Sequence, residues 1–202
     1  MTIAVIYYST YGSTFALAQH IADGVAAAGV GQDAVLRRVH ELMPDDRLDD
    51  NARAAAGAQS RVEYADVEAL STFDKLIIGS PTRFGNRAAQ MSQFLDQTGP
   101  LWQTGALVGR PCGFFTGAST IHGGHESTIL TMATFAIHHG MVIVPLGYVA
   151  DELRSTRTGG GPYGPTHLSP NDGSKSGLSG DEIAIAVAYG THFAQVAAKL
   201  AA

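Results

Sequence analysis

Residues 3–8, Ile3-Ala4-Val5-Ile6-Tyr7-Tyr8, form a nearly unbroken apolar run with no room for a polar face. Such a run reads as a strand buried on both sides, the kind found in the middle of a parallel sheet. A parallel neighbour requires a crossover, and a helix follows at once. Leu17, Ile21, Val25 and Ala28 recur at helical spacing, and Gly29 ends the segment. Between strand and helix lie Ser9-Thr10-Tyr11-Gly12-Ser13-Thr14, with four Ser/Thr hydroxyls, one glycine and no charge. Backbone N–H groups at a helix start, backed by the positive end of the helix dipole, make a site for a phosphate. The hydroxyls add donors suited to a dianionic monoester. The same residues also serve an ordinary N-cap turn, so on this turn alone the two readings stand level.

The rest of the chain repeats the alternation. Residues 33–38, centred on Ala34-Val35-Leu36, read as a more polar, edge-like second strand. From His40 to about Glu63 the pattern dissolves around Pro44 and several aspartates. The alanines at 52 and 54–56 allow a brief helix, but nothing there predicts a core, and a loop this long is usually functional or mobile. Residues 66–71 suggest one helical turn. Leu76-Ile77-Ile78-Gly79 is a third strand, followed by a helix marked by Ala88, Met91, Phe94 and Leu95. Residues 111–116, centred on Phe114-Phe115, form a fourth strand. A helix with Ile129, Met132, Ala133 and Ala136 then stops at Gly140, and Met141-Val142-Ile143-Val144 is the fifth strand. Residues 145–172, rich in Gly and Pro, read as a long surface excursion at a ligand site or subunit contact. A closing helix spans about 180–200, with Ile183, Val187, Gly190 and Ala194 along one side.

This order predicts an α/β fold: a flavodoxin-like three-layer sandwich, with a five-stranded parallel sheet in order 2-1-3-4-5 and helices on both faces. Residues 1–202 are expected to form a single domain. In such a sheet a ligand sits at the carboxyl ends of the strands, between strands one and three. That rule nominates three loops, at 9–14, 81–86 and 116–124. The first lacks the glycines of a dinucleotide fingerprint and the lysine of a nucleoside-triphosphate loop. It suits one terminal phosphate monoester, and FMN is the common cofactor with that headgroup. Pro81-Thr82-Arg83-Phe84-Gly85-Asn86 offers backbone groups, a cation and an aromatic ring beside a planar ligand. A surface ion pair for Arg83 and a core role for Phe84 remain open. Thr116, Ser119 and Thr120 give the third loop donors, or alternatively an N-cap.

Composition narrows the classes. The net charge of −5 argues against general nucleic-acid binding. Cys112 is the only cysteine, which excludes an intramolecular disulfide and a thiolate metal cluster. The chain opens on a strand without a signal-like segment, and no apolar run approaches the roughly 20 residues of a membrane span. A cytoplasmic protein is expected. His138 and His139 precede Gly140 at a helix end, where a histidine already suits the carbonyls and the dipole. Neither this pair nor His122, His125 and Glu126 makes a convincing metal site. No G-x-S-x-G elbow supports a serine hydrolase.

Several blocks together resemble the WrbA family of flavodoxin-like NAD(P)H:quinone oxidoreductases. They are Tyr7-Tyr8-Ser9-Thr10-Tyr11-Gly12, Pro81-Thr82-Arg83-Phe84-Gly85-Asn86, Phe94-Leu95-Asp96-Gln97-Thr98-Gly99 with Leu101-Trp102, and His138-His139-Gly140-Met141-Val142-Ile143-Val144-Pro145. Gly160-Gly161-Pro162-Tyr163-Gly164 and Asp172-Gly173-Ser174 match as well. The resemblance implies two-electron reduction of quinones to hydroquinones by ping-pong hydride transfer through FMN, with NADH or NADPH as reductant. It implies FMN contacts at Ser9, Thr10, Tyr11, Gly12, Ser13, Thr14, Thr82, Arg83, Phe84, Gly117, Ala118, Ser119, Thr120, Ile121, His122, Gly123 and His138. Tyr11 and Trp102 would face nicotinamide and quinone, Arg83 and His138 would tune the flavin, and no metal is needed. A homotetramer, a dimer of dimers whose neighbouring subunits help wall each flavin, is also implied. The loop 117–123 varies among relatives, and Ser176-Gly177-Leu178-Ser179 lacks a proline that many of them carry. An electron-carrier flavodoxin and a regulatory FMN-binding protein are the alternatives.

Overall fold

The computed structural model describes residues 2–169 and 177–200. Strand β1 (Thr2–Tyr7) leads into helix α1 (Ser13–Ala27), and β2 (Asp33–Arg38) follows as the outer strand. Helix α2 (Asp50–Ala58) precedes β3 (Lys75–Arg83), which folds back through the two-residue strand β4 (Asn86–Arg87). Next come α3 (Ala89–Asp96), the short α4 (Gly99–Gln103), β5 (Pro111–Ala118) and α5 (His125–His138). Strands β6 (Val142–Ile143) and β7 (Thr166–Leu168) and helix α6 (Gly180–Leu200) complete the chain. The main path of the sheet runs β2-β1-β3-β5-β6 with every neighbour parallel, the order the sequence predicts.

Period-two alternation decides which face each side chain meets. Ala4, Ile6, Leu76, Ile78, Cys112 and Phe114 face one layer, where they pack with Met91, Phe94 and Leu95 of α3 and Ile129, Met132 and Ala136 of α5. Ile3, Val5, Tyr7, Ile77 and Phe115 face the other, against Leu17, Ile21 and Val25 of α1 and Ile185, Tyr189 and Phe193 of α6.

Three expectations are corrected. The fifth strand is split. β6 contributes only two residues beside Pro111 and Cys112, and β7 continues the same edge beside Thr116, Gly117 and Ala118. The stretch from 145 is therefore no mere surface excursion: Gly159, Gly164, Pro165, Thr166 and His167 are buried. A Cβ on Gly164 would lie 2.0 Å from the Phe114 carbonyl oxygen, so only glycine lets this segment lie so close to β5. Second, the brief helix that the alanines allow after β2 forms as α2, capped by Asp49, and it buries Ala52 where no core was expected. Third, α6 is long and apolar enough by length and composition to cross a membrane, with 21 residues and a mean hydropathy of 1.2. Here it is a core helix, with Ile185, Tyr189, Phe193 and Ala197 at 0% exposure. The Asp172-Gly173-Ser174 block lies outside the described residues.

Candidate active site

A cleft of about 1100 Å³ opens at the carboxyl edge of the sheet. Its walls contain Ser9, Thr10, Tyr11, Gly12, Ser13 and Thr14, then Pro81, Thr82 and Arg83, then Gly117, Ala118 and Ser119. The structure thus brings the three nominated loops to one place. Asp49, Asn51, Ala54 and Ala55 of the α2 segment, and His167, Ser169 and Leu178, also line it, and the sequence reading missed all of them.

The start of α1 is built for an anion. Gly12 adopts the left-handed φ of 93°, and α1 has neither a side-chain cap nor an acidic residue in its first turn. The first-turn N–H groups have no intrahelical acceptors, so they are available to a ligand. Helix α2, by contrast, carries a side-chain cap: Asp49 accepts from the Ala52 N–H at 2.8 Å. The same Asp49 accepts from the Tyr11 hydroxyl at 3.0 Å, which ties α2 to the phosphate turn. The Ala52 N–H, and then the Tyr11 hydroxyl, hold the Asp49 carboxyl below its ordinary range.

A hydrogen-bonded chain fixes the second loop relative to the first. Arg83 Nη2 donates to Thr10 Oγ1 at 3.0 Å, and Thr10 Oγ1 donates to the Tyr8 hydroxyl at 3.0 Å. Tyr8 donates to Glu41 Oε2 at 2.5 Å, and Gln90 Nε2 donates to Glu41 Oε1. Burial, followed by the bond to Glu41, pushes the Tyr8 hydroxyl pKa up and keeps it a neutral donor. Among the described residues Arg83 has no ion-pair partner, and its guanidinium bonds the Thr82 carbonyl and Thr10 Oγ1 at the cleft. Thr128 Oγ1 donates to Thr82 Oγ1 at 2.8 Å, and Thr82 donates to the Gly123 carbonyl, linking the second loop to the third.

Phe84 is not in the core. It is fully exposed with φ 53°, and with Gly85 (φ 77°) it forms the two-residue turn between β3 and β4. Thr120, Ile121 and His122 are exposed at the tip of the third loop, outside the cleft wall. His138 and Trp102 do not reach the cleft of their own chain. His138 ends α5, about 20 Å along the helix from the cleft end. Trp102 is 58% exposed on α4. The neighbouring His139 is structural: buried, it bonds Thr98 Oγ1 through Nε2 at 3.0 Å and lies tilted against the Phe135 ring, with centroids 4.4 Å apart. Among the described residues no group of three His, Cys, Asp or Glu side chains is placed to hold a metal ion.

On the opposite wall, Ser179 and Glu182 form a reciprocal cap at the start of α6: the Glu182 N–H donates to Ser179 Oγ, and the Ser179 N–H donates to the Glu182 carboxylate. The S-x-x-E spacing ahead of an apolar run was the available signal for it. The carboxylate also accepts from the N–H groups of Gly159 and Leu168 and from His167 Nδ1. Burial raises its pKa, but these bonds prevail and bring it down to about 2.

Residues 1–154 match the family model described as NADPH-dependent FMN reductase. A protein from Trichlorobacter lovleyi named NAD(P)H dehydrogenase (quinone) is 43% identical, with 99% of this chain and 98% of the relative covered. One of the same name from Geobacter sulfurreducens is 44% identical over 99% of each chain. Among solved structures, the flavodoxin-like WrbA-like protein from Agrobacterium tumefaciens superposes with a TM-score of 0.67 at 23% identity, covering 98% of both chains. Flavodoxin 2 from Bacillus cereus gives a TM-score of 0.62 at 15% identity, covering 97% of this chain and 99% of its own. These two likenesses concern the fold.

Proposed function

This chain belongs to the NADPH-dependent FMN reductase family, and we propose on that premise that its cleft holds FMN and that it reduces quinones with electrons from NAD(P)H. It is an FMN-dependent NAD(P)H:quinone oxidoreductase. The single observation that carries this reading is the uncapped, charge-free start of α1, set at one end of a cleft whose other walls are the two further predicted loops.

The residues fit the group. The first-turn N–H groups of α1, with the hydroxyls of Ser9, Thr10, Ser13 and Thr14, suit a terminal phosphate. Pro81, Thr82 and Gly117 suit a flat ring system between two loops. FMN, when bound, accepts a hydride and passes the electron pair on. The protein's part is binding, orientation and charge. Arg83 stabilises negative charge at the pyrimidine edge. Tyr11, 60% exposed and oriented by Asp49, supports a planar substrate.

Thr120, Ile121, His122 and Phe84 stand at the rim, where small movements on binding bring them to the ligand. His138 and Trp102 act on the cleft of a neighbouring copy in a homotetramer, a dimer of dimers. What supports this is that neither lines the cleft of its own chain, while Trp102 is exposed and His138 follows Ile137, which is 64% exposed. The chain is read as one cytoplasmic domain without a nucleic-acid partner.

The two substrates use one place in turn. Steady-state rates with NAD(P)H and benzoquinone both varied are expected to give parallel double-reciprocal lines. Intersecting lines would contradict the shared place.

A further inference from the structure

The feature this mechanism leaves unused is the buried pair on the cleft wall. His167 Nδ1 lies 3.0 Å from Glu182 Oε2, with the two side chains 2% and 1% exposed. Glu182 otherwise accepts only N–H donors, from Gly159, Leu168 and Ser179, each at 2.8 Å. A carboxylate so surrounded stays ionised, and the imidazole must present its proton at Nδ1. That leaves Nε2 as the ring nitrogen for a ligand, and His167 lines the cleft. The ring sits beside Gly117, its partner in register: Cδ2, the carbon bonded to Nε2, is 4.0 Å from where a Gly117 side chain would begin. β7 also packs against α1, the helix whose first turn is open to an anion.

We propose that His167, held from behind by Glu182, is a phosphate-binding residue whose Nε2 donates to the phosphate monoester of the bound mononucleotide. This assignment rests on the FMN reading of the cleft. The titratable groups facing the imidazole are Glu182 from α6 and His125 from α5, with Glu126 beyond His125. His125 is held toward its neutral form by burial, and the first turn of α1 brings no acidic residue. A phosphate dianion arriving at Nε2 lies across the ring from Glu182, so the imidazole bridges the carboxylate behind it and the ligand in front. Glu182 sets the tautomer and orientation, as a carboxylate behind a ligating histidine does at other anion and metal sites.

The test uses His167→Asn, whose amide nitrogen keeps a donor near the Nδ1 position for Glu182 while the far side of the ring is removed. FMN and riboflavin, which differ only in the phosphate, are titrated into wild type and variant by quenching of flavin fluorescence. The expected result is an FMN dissociation constant raised about tenfold, with riboflavin affinity unchanged. Unchanged FMN affinity, or an equal loss for both flavins, overturns the assignment. Should the variant fold poorly by circular dichroism, His167→Ala, which likewise removes the far side of the ring, is read by the same FMN-to-riboflavin ratio. A loss of NADPH relative to NADH with FMN binding intact would place the contact on a reductant phosphate and overturn it too. Wild type that binds neither flavin removes the FMN reading and this assignment together. Wild type that binds FMN with indifference to residue 167 removes this assignment alone.

Discussion

Phe84 bears a conformational cost that its surroundings do nothing to offset. A bulky residue at φ 53° is strained by about 1 kcal/mol, and the fully exposed ring gains no burial in return. Next to Arg83 of the cleft wall, such a strained aromatic fits the proposed ligand contact. Phe84→Asn, which gives the Asn-Gly pair favoured in this turn, should raise stability by about 1 kcal/mol in denaturant titration and lower quinone turnover. A variant that loses stability would refute the strain argument. Glu182 makes the opposite case, because its partners over-determine it. Its folded pKa of about 2 lies below the ordinary value near 4.3, so its stabilisation is complete above about pH 4.3. That stabilisation is lost as pH falls toward 2. Thermal melts of wild type should show this acid limb. Glu182→Gln, which leaves a neutral amide among four donors, should be about 3 kcal/mol less stable at neutral pH and should lack this contribution to the limb. At this scale the turn at 9–14 was legible as a strand–helix junction, and it was the company of the loops at 81–86 and 116–124 at the same sheet edge, not its own composition, that favoured a phosphate over an ordinary N-cap. His167 was not legible, because its role depends on Glu182, 15 residues away in sequence.

At the scale of elements, contact between α1 and α6 is set by glycine. A Cβ on Gly190 would lie 2.0 Å from the Ile21 carbonyl oxygen, and one on Gly24 would lie 2.1 Å from the Val187 carbonyl oxygen. The two backbones therefore touch directly, and neither helix can rotate to make room. Gly190→Ala should cost at least about 2 kcal/mol by overpacking, measured by urea denaturation, whereas Gly57→Ala on α2, with open space around it, should be neutral or stabilising. The long elements were readable from periodicity because each has one continuous apolar face. Helix α2 was not, since it buries only Ala52 and is held by its cap and the turn it covers. The split of the fifth strand was hidden for a related reason: β6 and β7 pair with different parts of β5, and neither alone carries a strand-length pattern.

For the whole molecule, the proposed homotetramer would complete the cleft of each chain. Trp102 and His138, which the resemblance assigns to the site, do not line the cleft of their own chain, and Trp102, Val108 and Ile137 are exposed apolar side chains. In the proposed homotetramer these side chains would be buried against neighbouring copies. Sedimentation velocity across protein concentration should show a tetramer whose dissociation lowers turnover per chain, and Ile137→Lys should shift it toward smaller species. Full activity in a species that sediments as a monomer at all concentrations would refute shared sites. The central claim is nevertheless made by each chain alone: the open first turn of α1 anchors FMN, and quinone reduction depends on that anchor. The most direct measurement is the FMN saturation curve for NAD(P)H oxidation with benzoquinone, in wild type and in Ser13→Glu. The variant places a carboxylate at the start of α1, where it favours the helix but repels phosphate. The account predicts saturable turnover well above that of free FMN in wild type, and at least a tenfold higher FMN requirement in the variant. Turnover no greater than that of free FMN, or identical curves for the two proteins, would contradict it.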